Sequence, residues 1–141
     1  MSDADAPFVP RRGRIVPVVI GIITPVAAIA LAVALPDQYQ LVDRLMTAGI
    51  GVAVAGLMSR YATIRAVPYP DGLFVRNIGP ATVVPWESIE AVRFAEGMPW
   101  PRIDLADGDE MAVMAIQRAD GAGSRAEAQR LADLVARPPR G

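Results

Sequence analysis

Apolar residues are concentrated in the first half of the chain, in two runs with the length of helices. No charged residue occurs from Ile15 to Leu35, a run of 21 residues. At about 1.5 Å per residue this run gives a helix of roughly 31 Å, close to the thickness of a bilayer's hydrocarbon core of about 30 Å. We therefore predict a transmembrane helix over 15–35, with a bend at Pro25 because proline removes a helical hydrogen bond.

The second run, Leu45 to Met58, holds only 14 uncharged residues. It is short for a full crossing, but Arg44 and Arg60 can extend their charged ends to opposite membrane interfaces. We predict a second transmembrane helix over 45–60, which can be lengthened at both ends so that Gln40 to Arg60 spans the bilayer. A re-entrant or buried helix is the alternative.

A cleaved secretory signal peptide is the main alternative for the first run. A basic segment precedes the run, and small residues resembling a cleavage site lie near its end. Against this, the run is longer than a typical signal core of roughly 7–15 residues, and a second apolar run follows directly. The residues concerned are Arg11, Arg12, Arg14, Ala32, Val33 and Ala34.

The arginines predict how the two helices are oriented. Three arginines lie in the tail 1–14, one lies in the connector 36–44, and two follow the second run. Positive residues collect on the cytoplasmic side of membrane proteins. The pattern predicts a multi-pass protein of the inner membrane, with both termini cytoplasmic and 36–44 as a short external loop.

Small residues recur along the second run at Gly49, Ala53 and Gly56. Such spacing lets another helix approach closely. The partner is either the first helix or a second copy of the chain.

After Tyr61 the pattern changes to short stretches rich in β-formers, separated by turn residues, which is typical of a small antiparallel sheet. Asp71-Gly72 and Asp107-Gly108 each separate two stretches, and we expect Gly72 and Gly108 to supply positive φ in hairpin turns. The predicted strands are 62–67, 73–78, 81–85, 89–95, 102–106 and 110–116.

A helix is predicted over 125–136. Ser124 and Glu127 have the spacing of a capping box, and Leu131 lies in an apolar stripe suited to docking on a sheet. The whole predicts a small α+β, mainly β domain over 61–137, with a bent antiparallel sheet of six to seven strands, a terminal helix and a tail over 138–141. This order of elements is typical of a pleckstrin-homology-like (PH-like) barrel, although another small α+β fold also fits.

The amino-acid composition excludes several kinds of catalytic and metal-binding site. The chain has neither Cys nor His, and its net charge is −1. Thiolate nucleophiles, imidazole bases and the commonest transition-metal ligands are therefore missing, and no basic surface for nucleic acid is expected. We predict no enzyme activity, no cofactor and no metal site. The acidic group around Asp104 and Glu110 lacks the spacing of a calcium loop and is interpreted as a solvated hairpin turn.

Three residues are candidates for contact with a partner or with anionic lipid. Arg65 and Arg76 form a local basic pair, and Trp100 stands between prolines in an apolar loop. Other residues are interpreted as structural, with Trp86 and Ile89 as core anchors. The structural set is Gly72, Trp86, Ile89, Gly108, Ser124 and Leu131.

The stretches Tyr69–Asn77, Val84–Ile89 and Val92–Phe94 carry a family resemblance. They look like the actinobacterial low molecular weight protein antigen 6 PH domain family, whose members have a hydrophobic hairpin followed by a small bacterial PH-like domain. The resemblance covers about 15–116 and implies no defined biochemical role. We therefore expect a membrane-anchored interaction module without catalytic activity, which is integral to the bilayer and presents its domain to a protein partner. Recognition of lipid headgroups or the membrane surface is the alternative.

Overall fold

The computed structural model describes residues 5–139. It consists of two compact units. One unit comprises Arg14–Ala62. The other comprises the residues from Thr63 onward together with the N-terminal segment up to Gly13.

The first unit is a pair of helices, α1 (Ile15–Ala34) and α2 (Leu41–Ala62). Both are long and apolar enough to cross a membrane by length and composition. Most of their large apolar side chains are exposed, unlike those of a core helix in a soluble protein. The second helix begins four residues before the predicted 45–60, so the connector is shorter than the expected loop 36–44.

Arg44 lies inside α2, and its side chain contacts the end of α1. Its guanidinium donates hydrogen bonds to four carbonyl oxygens at the end of α1, at 2.6–3.3 Å. The last carbonyls of a helix have no partner within the helix, and a cation there also interacts favourably with the helix dipole. The acceptors are the carbonyl groups of Ala32, Val33, Leu35 and Pro36.

One of the small residues of α2 lies at the contact with α1. A Cβ placed on Gly51 would lie 2.5 Å from Ala28 Cβ and 3.0 Å from Pro25 Cα, so only glycine fits this crossing. A Cβ on Gly49 or Gly56 would meet no described atom within 4 Å. The contact between the two helices thus uses Gly51, and dimerisation through the Gly49–Gly56 face stays a prediction.

The second unit contains two three-stranded antiparallel sheets and a C-terminal helix. Sheet 1 has the order β1-β2-β3, sheet 2 has the order β4-β5-β6, and the helix α3 spans Ala122–Ala136. A short 3-10 turn, Trp86–Ser88, connects the sheets. This architecture and the count of six strands confirm the predicted fold class. The strands are β1 (Arg65–Tyr69), β2 (Gly72–Arg76), β3 (Ala81–Pro85), β4 (Ile89–Arg93), β5 (Arg102–Leu105) and β6 (Glu110–Ala112).

Strand β6 is shorter than the predicted 110–116. The N–H of Val113 donates to the carbonyl of Pro101 at 2.9 Å, and a turn follows in which the N–H of Ile116 bonds to the carbonyl of Val113. The residues from Val113 to Ile116 are all buried. Their run of apolar side chains therefore reflects burial in the core and not a strand.

The core lies between the sheets and α3. Leu73, Ile103 and Leu131 have no exposed surface, and Trp86 and Ile89 are each 6% exposed. Burying side chains of this size stabilises the fold by about 1.5–3 kcal/mol each. The burial agrees with the structural role predicted for Trp86, Ile89 and Leu131.

The N-terminal segment belongs to this core and not to the separate tail expected over 1–14. Phe8 exchanges two backbone hydrogen bonds with Ala66 at 2.8 and 3.0 Å, and its ring is 1% exposed. The guanidinium of Arg130 lies 3.7 Å from the centre of that ring. A single buried aromatic residue has no periodicity, which is why the sequence pattern did not reveal it.

The N-terminal segment also forms hydrogen bonds with Asp120, just before α3, and with Arg130 in α3. The carboxylate of Asp120 accepts hydrogen bonds from the backbone N–H groups of Arg11 and Arg12, at 3.1 and 2.8 Å. Arg130 donates to the carbonyl of Ala6 at 2.9 Å. The segment is therefore held to the domain on both sides of Phe8.

Two turn predictions need correction. Gly72 does not adopt positive φ, because the turn consists of Pro70-Asp71 and Gly72 is already the first residue of β2. The capping box is absent: α3 begins after Gly121, whose φ is 75°, and the Ser124 hydroxyl donates to the Gly121 carbonyl at 2.7 Å. Gly108 has φ 90° as predicted.

Candidate functional site

The outer face of sheet 1 is apolar at its centre. Side chains alternate along each strand, so alternate residues turn away from the core. Val67, Phe74 and Val83 face one another across the three strands. Val83 is 52% exposed and Tyr69 is 49% exposed. We define the sheet 1 face by the residues Arg65, Val67, Tyr69, Phe74, Arg76 and Val83.

Arg65 and Arg76, predicted as a basic pair, are brought together at one end of the sheet 1 face. They are direct partners in the pairing of β1 with β2. Neither forms an ion pair with any residue within 5–139. Their positive charges are therefore not neutralised by the domain itself.

Aromatic rings lie beside these arginines. The Tyr69 and Phe74 rings meet edge to face with 6.3 Å between centroids, and the Arg65 guanidinium lies 5.7 Å from the Phe74 centroid. Such a cation–π contact holds the guanidinium without removing its charge. Neither Tyr69 nor Phe74 was a candidate from the sequence, because only the strand register shows that they share a face with Arg65.

Trp100 lies elsewhere, in the loop between β4 and β5, and is half-buried. Arg118 fastens this loop by donating to the carbonyl of Met98 at 2.7 Å and to the carbonyl of Ala95. Pro101 is fully buried. The structure thus brings together Arg65 and Arg76, and places Trp100 in a loop of the other sheet.

Sheet 2 presents a contrasting outer face, on which charges are paired. Arg93 contacts Asp104 at 2.7 Å and Glu110 at 2.6 Å, and Arg102 contacts Glu110 at 2.8 Å. Hydrogen bonds from Arg102 and Arg93 lower the pKa of Glu110, and those from Arg93 to Asp104 and Glu110 raise the pKa of Arg93. The charges of two arginines and two acidic residues therefore balance on this face.

Acid should weaken this charge network. Because the folded domain lowers the pKa of Glu110, its stabilising contribution is present above the unfolded pKa of about 4.3 and is lost as pH falls through the folded value. We expect Glu110→Gln to lower stability slightly at neutral pH and to flatten the loss of stability below about pH 4.3. Urea unfolding followed by tryptophan fluorescence measures both effects. Glu87→Gln, at an exposed carboxylate of the 3-10 turn, is the control, and equal pH profiles for the two variants would contradict the prediction.

The acidic residues of the β5–β6 hairpin bond to neighbouring groups of sheet 2. No group of three or more acidic side chains in the described part of the chain is arranged to hold a metal ion. Asp104 and Glu110 bond to arginines, and Asp107 accepts a hydrogen bond from the N–H of Asp109 at 3.0 Å. These side chains therefore bond to other residues of sheet 2.

Strand β3 forms an open edge of sheet 1. It pairs with β2 on one side, and no strand of the described residues pairs with its other side. Its sequence, Ala81–Pro85, carries no charge, and Thr82 and Val83 are exposed. Beside this edge lies a groove of about 500 Å³ whose lining includes Val84, Leu105 and Met111.

Comparison with known proteins is consistent with this architecture. The family model of the bacterial PH domain matches residues 69–134. An uncharacterized protein of Mycobacterium bovis and uncharacterized proteins of two Mycobacterium tuberculosis strains are each 34% identical over 99 residues. The match covers 70% of this chain and 64% of each relative, so the chain spans less than two thirds of their length. No solved structure gives a significant match.

The matched family model bears the bacterial PH domain description and not the antigen 6 name. Its limits enclose β2 to β6 and most of α3, whereas β1 lies before the matched segment except for its last residue, Tyr69. The C-terminal unit of this chain therefore contains a segment, residues 69–134, that matches the bacterial PH domain family.

Proposed function

We propose that this chain is a membrane-anchored, non-catalytic interaction module, in which the PH-like domain binds an extended segment of a protein partner along β3. The observation that carries the proposal is the uncharged, unpaired edge of β3, which lies beside a groove lined in part by apolar side chains. An edge strand exposes a row of N–H and C=O groups that a partner strand can pair with.

The two apolar helices support the anchor. Helices of 20 and 22 residues extend about 30 and 33 Å, enough to cross the hydrocarbon core. The contact at Gly51 and the hydrogen bonds of Arg44 make the pair a compact hairpin whose outward side chains are apolar. Such a surface is solvated by acyl chains more favourably than by water.

The N-terminal segment supports a hairpin that returns to the side where it began. Phe8 and the domain belong to one compact unit, although the whole hairpin separates them in the sequence. This arrangement supports a topology in which both ends of the hairpin lie on one side of the membrane. The arginines before α1 and after α2 favour the cytoplasmic side.

The chemistry of β3 indicates the kind of partner. Natural edge strands are usually blocked by charges or covered by other elements. The edge of β1 is paired with Phe8 at Ala66, whereas β3 has neither a pairing partner on its outer side among the described residues nor a charged residue. A segment with alternating apolar side chains would pair with the edge and place every second side chain in the groove beside Leu105 and Met111.

Site-specific photo-crosslinking of the full chain in its native host tests this proposal. A photo-reactive benzoylphenylalanine replaces Ala81, and the adduct is mapped by mass spectrometry. We expect an adduct with an extended segment of another protein. Thr82→Lys should abolish the adduct because it places a charge on the edge, and Thr82→Val should retain it.

The same photo-reactive group at Asp109, in the exposed hairpin turn of sheet 2, is the positional control. An adduct that forms equally from Asp109, that survives Thr82→Lys, or that joins two copies of this chain would overturn the proposal. So would the absence of any adduct from Ala81.

A further inference from the structure

We infer that the sheet 1 face binds the anionic surface of the membrane in which the chain is anchored, so that the domain lies on the leaflet with β3 still accessible at its side. The inference rests on the proposed membrane anchor. It adds a second contact with lipid, made by the folded domain.

The charges of the sheet 1 face are complementary to an anionic membrane surface. Arg65 and Arg76 are adjacent in the strand register and are not ion-paired within the described residues, whereas the arginines of the sheet 2 face are paired with carboxylates. Asp71 lies in the β1–β2 turn, at the other end of the hairpin and roughly 13 Å away along the strands. Uncompensated arginines are complementary to phosphate groups, to which they donate paired hydrogen bonds.

The centre of the same face is apolar and partly exposed. Tyr69 and Val83 are each about half exposed, at 49% and 52%, and Phe74 lies between them in the sheet. Tyrosine is enriched at membrane interfaces because its ring is apolar and its hydroxyl is polar. A face with arginines at one end and aromatic and valine side chains at its centre matches the layered chemistry of headgroups and upper acyl chains.

Arg65 lies close in sequence to the end of the proposed membrane anchor. Arg65 begins β1, and only Thr63 and Ile64 separate it from Ala62, the last residue of α2. Three residues of chain span at most about 11 Å. The tether therefore keeps the local concentration of headgroups around Arg65 high, and binding costs little additional entropy.

Fluorescence quenching of the full chain in nanodiscs tests the inference. Because the chain has no cysteine, Val83→Cys carries a single fluorophore, and a nitroxide attached to the lipid headgroup serves as the quencher. The discs contain phosphatidylcholine alone or an equimolar mixture with phosphatidylglycerol. We expect stronger quenching in the anionic discs, and we expect high salt to reduce it because the screening length shortens to about 3 Å at 1 M.

The arginines are tested by Arg65→Gln combined with Arg76→Gln. Each basic residue near an anionic surface shifts the binding equilibrium by about fivefold, so the double variant should lower the ratio of bound to free domain by about 25-fold. Arg125→Gln combined with Arg137→Gln removes the same charge from exposed positions on or beside α3. This control pair should leave quenching unchanged.

The same fluorophore at Asp109→Cys, in the hairpin turn of sheet 2, reports whether quenching is specific to the sheet 1 face. Equal quenching at both positions, equal quenching in both lipids, or no effect of the double variant would overturn the inference. A protein that does not remain with the discs would instead refute the anchor. A protein that remains but is not quenched at Val83 refutes only the binding of the face.

Discussion

Replacing Phe8 by alanine should unfold the PH-like domain far more easily, although Phe8 lies before the first helix and outside the segment matched by the family model. The ring is 1% exposed, lies against Arg130, and sits on a backbone bridge to Ala66. Truncating a buried phenylalanine to alanine costs about 3–5 kcal/mol, which is a large share of a typical domain stability of about 5–15 kcal/mol. We expect a corresponding fall in the urea midpoint.

Tryptophan fluorescence can measure the loss of stability caused by Phe8→Ala. Its two tryptophans, Trp86 and Trp100, both lie in the C-terminal unit, so tryptophan fluorescence of the full chain in detergent reports the unfolding of that unit alone. Val9→Ala is the matched control, because the adjacent Val9 is 38% exposed and should lose less than about 1 kcal/mol. If both variants unfold at the same urea concentration, the N-terminal segment is not part of the core.

A truncated chain that begins at residue 63 should share the defect of Phe8→Ala. It loses the aromatic side chain together with the backbone bridge to Ala66 and the contacts of Asp120. Experiments on the domain therefore require the full chain or a shortened chain that retains the N-terminal segment.

Gly72→Ala should be the second strongly destabilising change. A Cβ at this position would lie 2.4 Å from the carbonyl oxygen of Val84 and 3.1 Å from Pro85 Cα, both in the neighbouring strand β3. Because the obstacle is backbone, β3 must move away from β2, and overpacking of this kind costs about 1–3 kcal/mol. Displacement of β3 should also weaken the proposed binding of a partner segment.

Gly123→Ala is the control for this change. Gly123 lies in the first turn of α3, where an added Cβ meets no described atom within 4 Å. Alanine is favoured over glycine in helices, so we expect a gain of about 0.5–1 kcal/mol. Tryptophan fluorescence measures the change in unfolding free energy for both variants. A loss for Gly72→Ala and a gain for Gly123→Ala would show that Gly72 is required because β2 and β3 approach closely there. Equal effects would contradict it.

The sequence alone determined the elements with a repeating pattern. The uncharged run from Ile15 predicted a long helix, and the structure has α1 over Ile15–Ala34. Alternation and turn residues predicted six strands, with β3 at its observed limits of Ala81–Pro85. The helix is predicted by the length of its uncharged run, and the strands are predicted because periodic burial acts on many neighbouring residues at once.

The ends of elements were less well predicted, because single tertiary contacts decide them. The sequence assigns Arg44 to the connector, whereas in the structure it lies in α2 and its side chain bonds to the Leu35 carbonyl just after α1. The Ser124 and Glu127 spacing indicated a capping box, yet the positive φ of Gly121 lets α3 start at Ala122. The helix therefore starts after a glycine, without a side-chain cap.

The candidate site depended even more on the tertiary structure. The sequence identified Arg65 and Arg76, but only the register of β1 with β2 and β3 places Tyr69, Phe74 and Val83 on the same face. It also could not show that Phe8 completes the edge of β1, since residues separated by a helical hairpin are joined by packing and not by local pattern. Local periodicity encodes helices and strands, whereas shared faces and open edges arise only when distant segments pair.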